Sequence, residues 1–576
     1  MLRRLTLLSL ILLALQLPFE LQRPLLQLGP LALTNVELPL YLALGLALLQ
    51  WQQAGRPRPP APTLWIVLGA LFLAGVFVSA LLAPEFRTNA LLAALRTASG
   101  IALTLAVTLT ASQPGARGVP KGVVWLTAAL LAGGAAAAAL GLAELLAGAA
   151  LPWLAPVRVA PTVAGPFLRL SGPFDYANQA AMYLEATLPL LLAVVAAAWE
   201  AGRRPVVVAA AAVLVLYTLA TLLTFSRSGL VTLILVLSAV ALLLRRRTGR
   251  QPRLLFAGGA LLVLLLVGLQ AAVSPAFAMR LTSESDNNWY LADFEAPAEM
   301  VLRAGEERLV TITVTNEGAF TWRSESSPEV YLAARWIQPA SERELSARPR
   351  WPLERPVKPG DSLTMQIPLR APDEAGSYTL FWDVVQEHVV WFSAKTGRQA
   401  TSAVTVTGSV TDSPAGATGS RAAMGTFEES WEFAAPIPGR LTLWRLAAQL
   451  WQARPLLGVG LDNFRLLYGR PLQVEIWNTT IHSNNWYVET LVSSGLLGSL
   501  PFFLLLALLA VDIVRVLRRP GATVWQAAVG AGLLAYLIHG MLDYFLLFNA
   551  TGLLFWLLLG LWLALRTGVE TAEGRP

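Results

Sequence analysis

The chain has 576 residues, enough for three or four soluble domains, but 55% of them are apolar and only 14% are charged. Soluble domains carry about 25% charged residues, so the shortfall excludes an ordinary soluble protein and points to extensive contact with lipid. The net charge of +7 does not indicate nucleic acid, because the basic residues gather at the ends of apolar runs, and the lack of cysteine excludes disulfide and thiolate chemistry.

A helix needs about 20 apolar residues to cross a bilayer. Twelve stretches are candidates: 4–20, 33–51, 63–83, 89–111, 122–147, 175–199, 205–223, 228–245, 254–273, 484–511, 523–546 and 550–566. The first is short and the second contains Pro39. The opening "MLRRLTLLSLILLALQLPFELQ" has the basic start and apolar run of a signal peptide. It lacks a convincing A-x-A cleavage site, and we read it as a retained first helix. With the N-terminus in the cytoplasm, the inside connections "WQQAGRPRPPAP", "SQPGARGVPK", "EAGRRP", "LLRRRTGRQPR" and "VRVLRRPGA", and the tail "RTGVETAEGRP", all carry Lys or Arg. That asymmetry predicts cytoplasmic termini and a large external segment over 274–483.

The predicted organisation is therefore a mainly α, polytopic membrane helix bundle. Residues 1–273 hold nine helices and 274–293 form an external connector. Within 294–408, "RLVTITVTNEG", "EVYLAARWI", "SLTMQIPLRAP" and "SYTLFWDVVQ" alternate apolar and polar residues, with turn signals such as "NEG", "KPGD" and "DEAGS" between them. This spacing predicts an antiparallel, all-β sandwich inserted into the loop. The Gly/Ser/Thr/Ala linker "GSVTDSPAGATGSRAAMG" opens 409–483, an external loop with amphipathic helices, and 484–576 hold three helices and the tail. No internal repeat is present.

Polar residues collect at the outer helix ends. "RLSGPFDYANQAAMYLEATLPLLL" leads into the sixth helix, with Arg169 before it and Asp175, Asn178 and Gln179 in its first turns, where Asp175 or Asn178 can cap free amides. Glu185 lies inside the span, where a charge is expensive unless it faces a polar cavity. "SRSG" places Arg227 at the outer membrane surface. Its planar fork suits phosphate, whereas the plainer reading is a snorkelling helix anchor. "GRLTLWRLAAQLWQARPLLGVGLDNFRLLYG" puts Leu441, Trp444, Ala448 and Trp451 on one helical face, with Arg440 before them and Arg445 within. "RPLLGVGLDNF" reads as a helix end, a Gly-rich turn and a new helix.

In "TIHSNNWYVETLVSSGLLGSLPFFLLLALLA", His482 falls at the start of the tenth helix, and Asn484 and Asn485 can cap it. A helix N-terminus with free amides attracts phosphate, and a histidine there can act as a general base. The plainer reading is a capping or interfacial residue. His539 and Asp543 stand four apart in the eleventh helix and are read as a buried polar contact rather than a metal pair.

"RLSGPFDYANQAAMYL", "TFSRSGL", "GRLTLWRLAAQLWQARPLLGVGLDNF", "IHSNNWYVETLVSSGLLG" and "HGMLDYFLLFNATGLLFWLLLGL" occur in the order of the O-antigen ligase and polymerase superfamily, which the chain resembles over about 160–273 and 425–565. The resemblance implies an inner-membrane glycosyltransferase that takes a glycan from undecaprenyl pyrophosphate to a lipid, glycan or protein acceptor on the external face. It implies inversion at the anomeric centre, no cofactor and no metal. By the same resemblance, Arg227 and Arg440 correspond to the family's pyrophosphate-binding arginines, with Arg445 a fallback for Arg440, and Arg169 is a further candidate. His482 corresponds to the base that takes the acceptor proton, with Asn484, Asn485 and Asn178 as polar support at helix starts. The insertion departs from the family. It resembles immunoglobulin-like domains in "TNEGAFTW" and "AGSYTLFWDVV", and its role is open between glycan binding, partner docking and shielding. Polymerase and protein O-oligosaccharyltransferase differ from ligase only in the acceptor. A transporter would be expected to show internal symmetry and broken mid-membrane helices, which the sequence does not display. A sensor or adhesin would not need twelve helices.

Overall fold

The computed structural model describes residues 1–576 except 30, 56–60, 113–118, 149, 160, 166, 245–249, 283–285, 326–328, 339–342, 346–348, 388–389, 409–437, 473–476, 547 and 574–576. The predicted linker after 408 lies outside the described residues, as does His388 of the sandwich. The helices are α1 (Leu2–Gln16), α2 (Glu37–Gln53), α3 (Thr63–Leu81), α4 (Arg87–Ala111), α5 (Lys121–Ala147), α6 (Ala177–Glu200), α7 (Arg204–Leu223), α8 (Arg227–Leu243), α9 (Arg250–Val273), α10 (Pro275–Thr282), α11 (Phe392–Thr396), α12 (Arg440–Ala453), α13 (Phe464–Leu467), α14 (Trp486–Leu517), α15 (Val524–His539) and α16 (Asn549–Glu573).

Each apolar stretch of the sequence contains one of these helices, because a chain in lipid must satisfy its backbone hydrogen bonds internally. Among the described residues, α3 to α7, α9, α14 and α16 are long and apolar enough to cross a membrane, and α8 and α15 are shorter apolar helices. At 15 and 17 residues, α1 and α2 are also short. Helices α6 and α16 are the most enclosed, with 83% and 89% of their spans buried against 17% for α9. Both therefore lie inside the bundle.

Two glycines in α3 and α14 set how closely these helices approach. A Cβ on Gly75 of α3 would come within 2.7 Å of the Gly498 backbone in α14, the close contact that small residues allow between membrane helices. Gly495 breaks α14, with φ 57° and ψ −166°. The "RPLLGVG" segment lies against the break: Leu496 N donates to Pro455 O at 2.9 Å and Leu497 N to Leu456 O at 3.0 Å, while Val459 N and Gly460 N donate to Val492 O and Ser493 O at 2.9 Å. The sequence reading had an unbroken tenth helix. The break is stable because a distant segment supplies the hydrogen bonds that the helix loses.

The strands are β1 (Leu26–Leu28), β2 (Leu31–Leu33), β3 (Val163–Ala164), β4 (Phe167–Leu168), β5 (Ala292–Glu295), β6 (Glu299–Arg303), β7 (Glu307–Asn316), β8 (Val330–Gln338), β9 (Arg343–Glu344), β10 (Arg350–Pro352), β11 (Ser362–Arg370), β12 (Gly376–Gln386), β13 (Val390–Trp391) and β14 (Ala400–Thr407). From β5 onward they form two sheets, one ordered β10-β8-β12-β14-β6, with β9 pairing β8 and β13 pairing β12, and the other ordered β11-β7-β5. Ile312, Val314 and Leu369 of the second sheet and Leu332, Leu380 and Trp382 of the first share one buried core. The pairing is not wholly antiparallel, because β14 runs parallel to β6.

This β-layered unit is fastened to the bundle. Ala164 of the β3–β4 hairpin belongs to its core, and Met279 of α10 packs against that core. Gln386 Nε2 donates to Gly165 O at 2.9 Å. The hairpin leads directly into Arg169.

Candidate functional site: an arginine cluster beside a buried histidine

Four arginines from separate elements gather at the end of the bundle that carries the β-layered unit. Arg169 is buried. Its Nε donates to Thr224 O at 2.8 Å and its Nη2 to Asn178 Oδ1 at 2.9 Å. Leu170 N donates to Leu223 O, which stitches this strand to the end of α7. Arg227 is the first residue of α8. Ser226 caps that helix by accepting from Gly229 N, and Phe225 before it has a positive φ of 52°. The Phe277 ring of α10 packs at a tilt against Phe225, centroids 5.5 Å apart, which brings Arg280 of α10 to the same place. Arg440, at the start of α12, is exposed and donates from Nε to Leu542 O at 3.0 Å.

The electrostatics register the crowding. Burial, then the charges of Arg169, Arg227 and Arg440, push Arg280 down to about 9. Burial, then the charge of Arg227, push Arg169 down to about 10 against the opposing pull of Asp543. Burial and the charge of Arg280 hold Lys395 of α11 below the usual lysine range, so the β-layered unit also reaches this cluster. Positive charge concentrated in this way is stabilised by an anion, and guanidinium forks at a helix start suit phosphate oxygens.

His482 sits on the other side of the 540–546 segment and is only 6% exposed. Its Nε2 lies 3.0 Å from Asp462 Oδ1 and its Nδ1 lies 3.1 Å from Thr480 O. Asp462 is also held by Arg465, at 2.7 Å through Nε and 2.8 Å through Nη2. Burial raises the Asp462 carboxyl, but the hydrogen bonds from His482 and Arg465 outweigh it and bring it down to about 2. Burial works to lower His482, yet the Asp462 hydrogen bond and the charges of Glu489 and Asp462 lift it above the ordinary histidine range. Both ring nitrogens face acceptors, so the doubly protonated ring is the form this setting favours.

The 540–546 segment joins the two groups. Asp543 Oδ2 accepts from Asn178 Nδ2 at 3.1 Å on the arginine side, and the Tyr544 ring lies 5.4 Å from His482 on the other. Trp444 Nε1 donates to Ser483 O at 2.9 Å, which ties α12 to the histidine turn.

The sequence-predicted residues divide accordingly. Arg169, Arg227 and Arg440 come together, with Asn178 bridging Arg169 to Asp543. Arg445 is exposed and takes no part in these charge interactions among the described residues. Asn485, not Asn484, caps α14, accepting from Tyr487 N and Val488 N at 2.9 and 3.0 Å. Asn484 supplies the turn with φ 51°. Those amides are thus occupied and Glu489 stands in the first turn, so the α14 start does not attract an anion as expected.

Several local expectations are corrected. Neither Asp175 nor Asn178 caps α6; Ala177 N donates instead to Thr162 Oγ1 at 3.0 Å. The buried face of α12 is Leu443, Leu446 and Ala447, and Leu441 is 66% exposed. Helix α15 stops at His539, so Asp543 is not on its face. His539 Nδ1 pairs instead with Glu185 Oε1 at 2.6 Å, and this partner accounts for the buried charge in α6. Sequence reasoning missed Asp462, Arg465 and Arg280. A signal for Asp462 lay inside the quoted "GVGLDNF", where a carboxylate between a Gly-rich turn and a helix marks a fixed side chain. Nothing local marked Arg280.

The apolar helix bundle is that of a polytopic membrane protein, with a cluster of arginines at one end. Residues 389–503 match the sequence model of a family described as O-antigen ligase. The match supports the O-antigen ligase/polymerase superfamily, and with it a role in polysaccharide biosynthesis as a multi-pass inner-membrane protein. It spans α12, Asp462, His482 and the start of α14. No curated protein matches the chain.

Proposed function

We propose that this protein is an O-antigen ligase-like glycosyltransferase, moving a glycan from undecaprenyl pyrophosphate to an acceptor hydroxyl on the external face of the membrane. The supporting observation is the convergence of Arg169, Arg227, Arg280 and Arg440 beside the buried His482–Asp462 pair. In this reading the arginines hold the diphosphate and His482, once neutral, takes the acceptor proton. The acceptor oxygen forms a bond to the anomeric carbon with inversion. The bond from that carbon to the phosphate oxygen breaks, and undecaprenyl pyrophosphate leaves with the electron pair. Fixed cations stabilise the charge that develops on the leaving group and need no reorganisation at that moment.

The test is transfer by the purified full chain from an undecaprenyl-pyrophosphate glycan, offered lipid, glycan and peptide acceptors in separate assays with EDTA present. Transfer to a lipid-anchored acceptor is expected. Elongation of the donor glycan instead would identify a polymerase, and no transfer with any acceptor would overturn the reading.

A further inference from the structure

A cavity of about 800 Å³, including its open mouth, lies between α3, α4, α14 and α16 on the far side of Tyr544 from the arginine cluster. Its polar wall is unusual. Glu489, Ser493 and Trp486 all line it and are 1%, 4% and 2% exposed. Glu489 Oε1, Ser493 Oγ and Trp486 Nε1 have no hydrogen-bond partner among the described residues. Buried polar atoms are almost always satisfied, so three orphans on one wall call for a ligand that bonds to them. Together they offer an acceptor, a group that both accepts and donates, and a donor, which is the pattern that reads hydroxyl groups.

Among the described residues, the cavity lacks the gathered arginines of the other side of Tyr544. Asp462 and Glu489 line the wall nearest His482, and the one lining arginine among the described residues, Arg96, lies near Glu37 at 3.8 Å. Of the two carboxylates, Asp462 is occupied by Arg465 and His482, and Glu489 Oε1 remains to accept from a hydroxyl. The remaining lining includes Tyr544, Phe548, Phe502 and Trp556, broad faces that suit the C–H faces of a sugar ring. Asp462 both lines the cavity and holds His482, so a hydroxyl bound here lies one side chain from the imidazole.

We infer that this cavity is the acceptor site and that it takes an uncharged, hydroxyl-bearing sugar, read by Glu489, Ser493 and Trp486. The inference rests on the glycosyltransferase reading. It divides the site into a cationic side for the donor and an acidic, aromatic side for the acceptor, with Tyr544 between them.

The test uses the full chain in phospholipid nanodiscs and a diazirine-bearing octyl glucoside, with crosslinks mapped by mass spectrometry. Labelling is expected on residues 486–494 and 544–553. Glu489→Gln, which keeps an oxygen for Ser483 N, and Ser493→Ala should each weaken glucoside binding roughly two- to tenfold, the size of one lost hydrogen bond. Both should leave undecaprenyl-pyrophosphate binding unchanged. Equal labelling by a diazirine alkane without sugar, preferential labelling by an octyl probe ending in a serine hydroxyl, or unchanged binding in both variants would overturn the inference. Glucoside binding without undecaprenyl-pyrophosphate binding would sink the proposed donor chemistry and leave this cavity standing. Pyrophosphate binding without glucoside binding would do the reverse.

Discussion

Helices α8 and α14 begin at the same end of the bundle, and each start is capped by its own side chain, Ser226 in one and Asn485 in the other. Both begin with the partial positive charge of a helix N-terminus. Their neighbours separate them. Arg227 follows the α8 cap and joins three more guanidinium groups, so positive charge accumulates there. Glu489 lies in the first turn of α14 and accepts from Ser483 N at 2.8 Å, so negative charge answers the helix end instead. In the proposed function, two similar helix starts thus serve different ends, one facing the donor diphosphate and the other the acceptor. A helix terminus provides a modest field, and the side chains around it decide what it binds.

The contrast is broken most severely at its charged groups. Arg227→Ala is expected to weaken donor binding and to lower transfer by about 10² to 10³-fold, the loss seen when a fixed charge-stabilising group is removed. His482→Ala should lower transfer by about 10² to 10⁴-fold, while undecaprenyl-pyrophosphate binding survives. Normal turnover in both variants would remove the mechanism. Loss of donor binding in His482→Ala would erase the division between the two helix starts.

The next effect is indirect. Replacing 294–408 by a short linker removes the core that braces the β3–β4 hairpin and α10, which carry the chain to Arg169 and Arg280. Donor affinity should fall by up to about 10²-fold, as expected when charged groups shift by about an ångström. Unchanged affinity, with folding confirmed by thermal melting, would make the β-layered unit an accessory.

A pH profile sharpens the α14 side. His482 must be neutral to accept a proton, and its raised value means that activity is lost as pH falls through that value. Asp462 remains ionised throughout, being held at about 2. Asp462→Asn removes an interaction that raises the imidazole and leaves burial, which lowers it, so the acid limb should move to lower pH. An unmoved limb would show that His482 is not the titrating group. The smallest effect is at the cap: Asn485→Ala should reduce stability by about 1 kcal/mol, read as a lower melting temperature with donor binding retained.

Much of the bundle was legible because lipid imposes a simple rule of long apolar runs, and each run contains a helix. Arg169, Arg227 and Arg440 were legible as well, since Lys and Arg concentrate on the cytoplasmic side and those at the outer boundary stand out. The break at Gly495 was not, because Pro455 to Gly460, which satisfy it, lie some forty residues away in sequence. Arg280 was not either, because its place depends on Phe277 meeting Phe225. The buried face of α12 is rotated from the predicted one, with Trp444 and Trp451 at its edge and Leu441 outside it, since a surface helix is oriented by what covers it.

By itself the sequence determined that the chain is a multi-pass helical protein with a β-rich segment near 294–408, and that its polar residues gather at helix ends. Hydropathy and alternation are local properties, fixed residue by residue. Only the tertiary structure decided that Arg169, Arg227, Arg280 and Arg440 share one place, that Asp462 is the partner of His482, and that Glu489, Ser493 and Trp486 face one cavity. The arginines come from segments far apart in the chain, Asp462 and His482 from two turns 20 residues apart, and the cavity from four helices, so these relations are set by packing rather than by any local pattern.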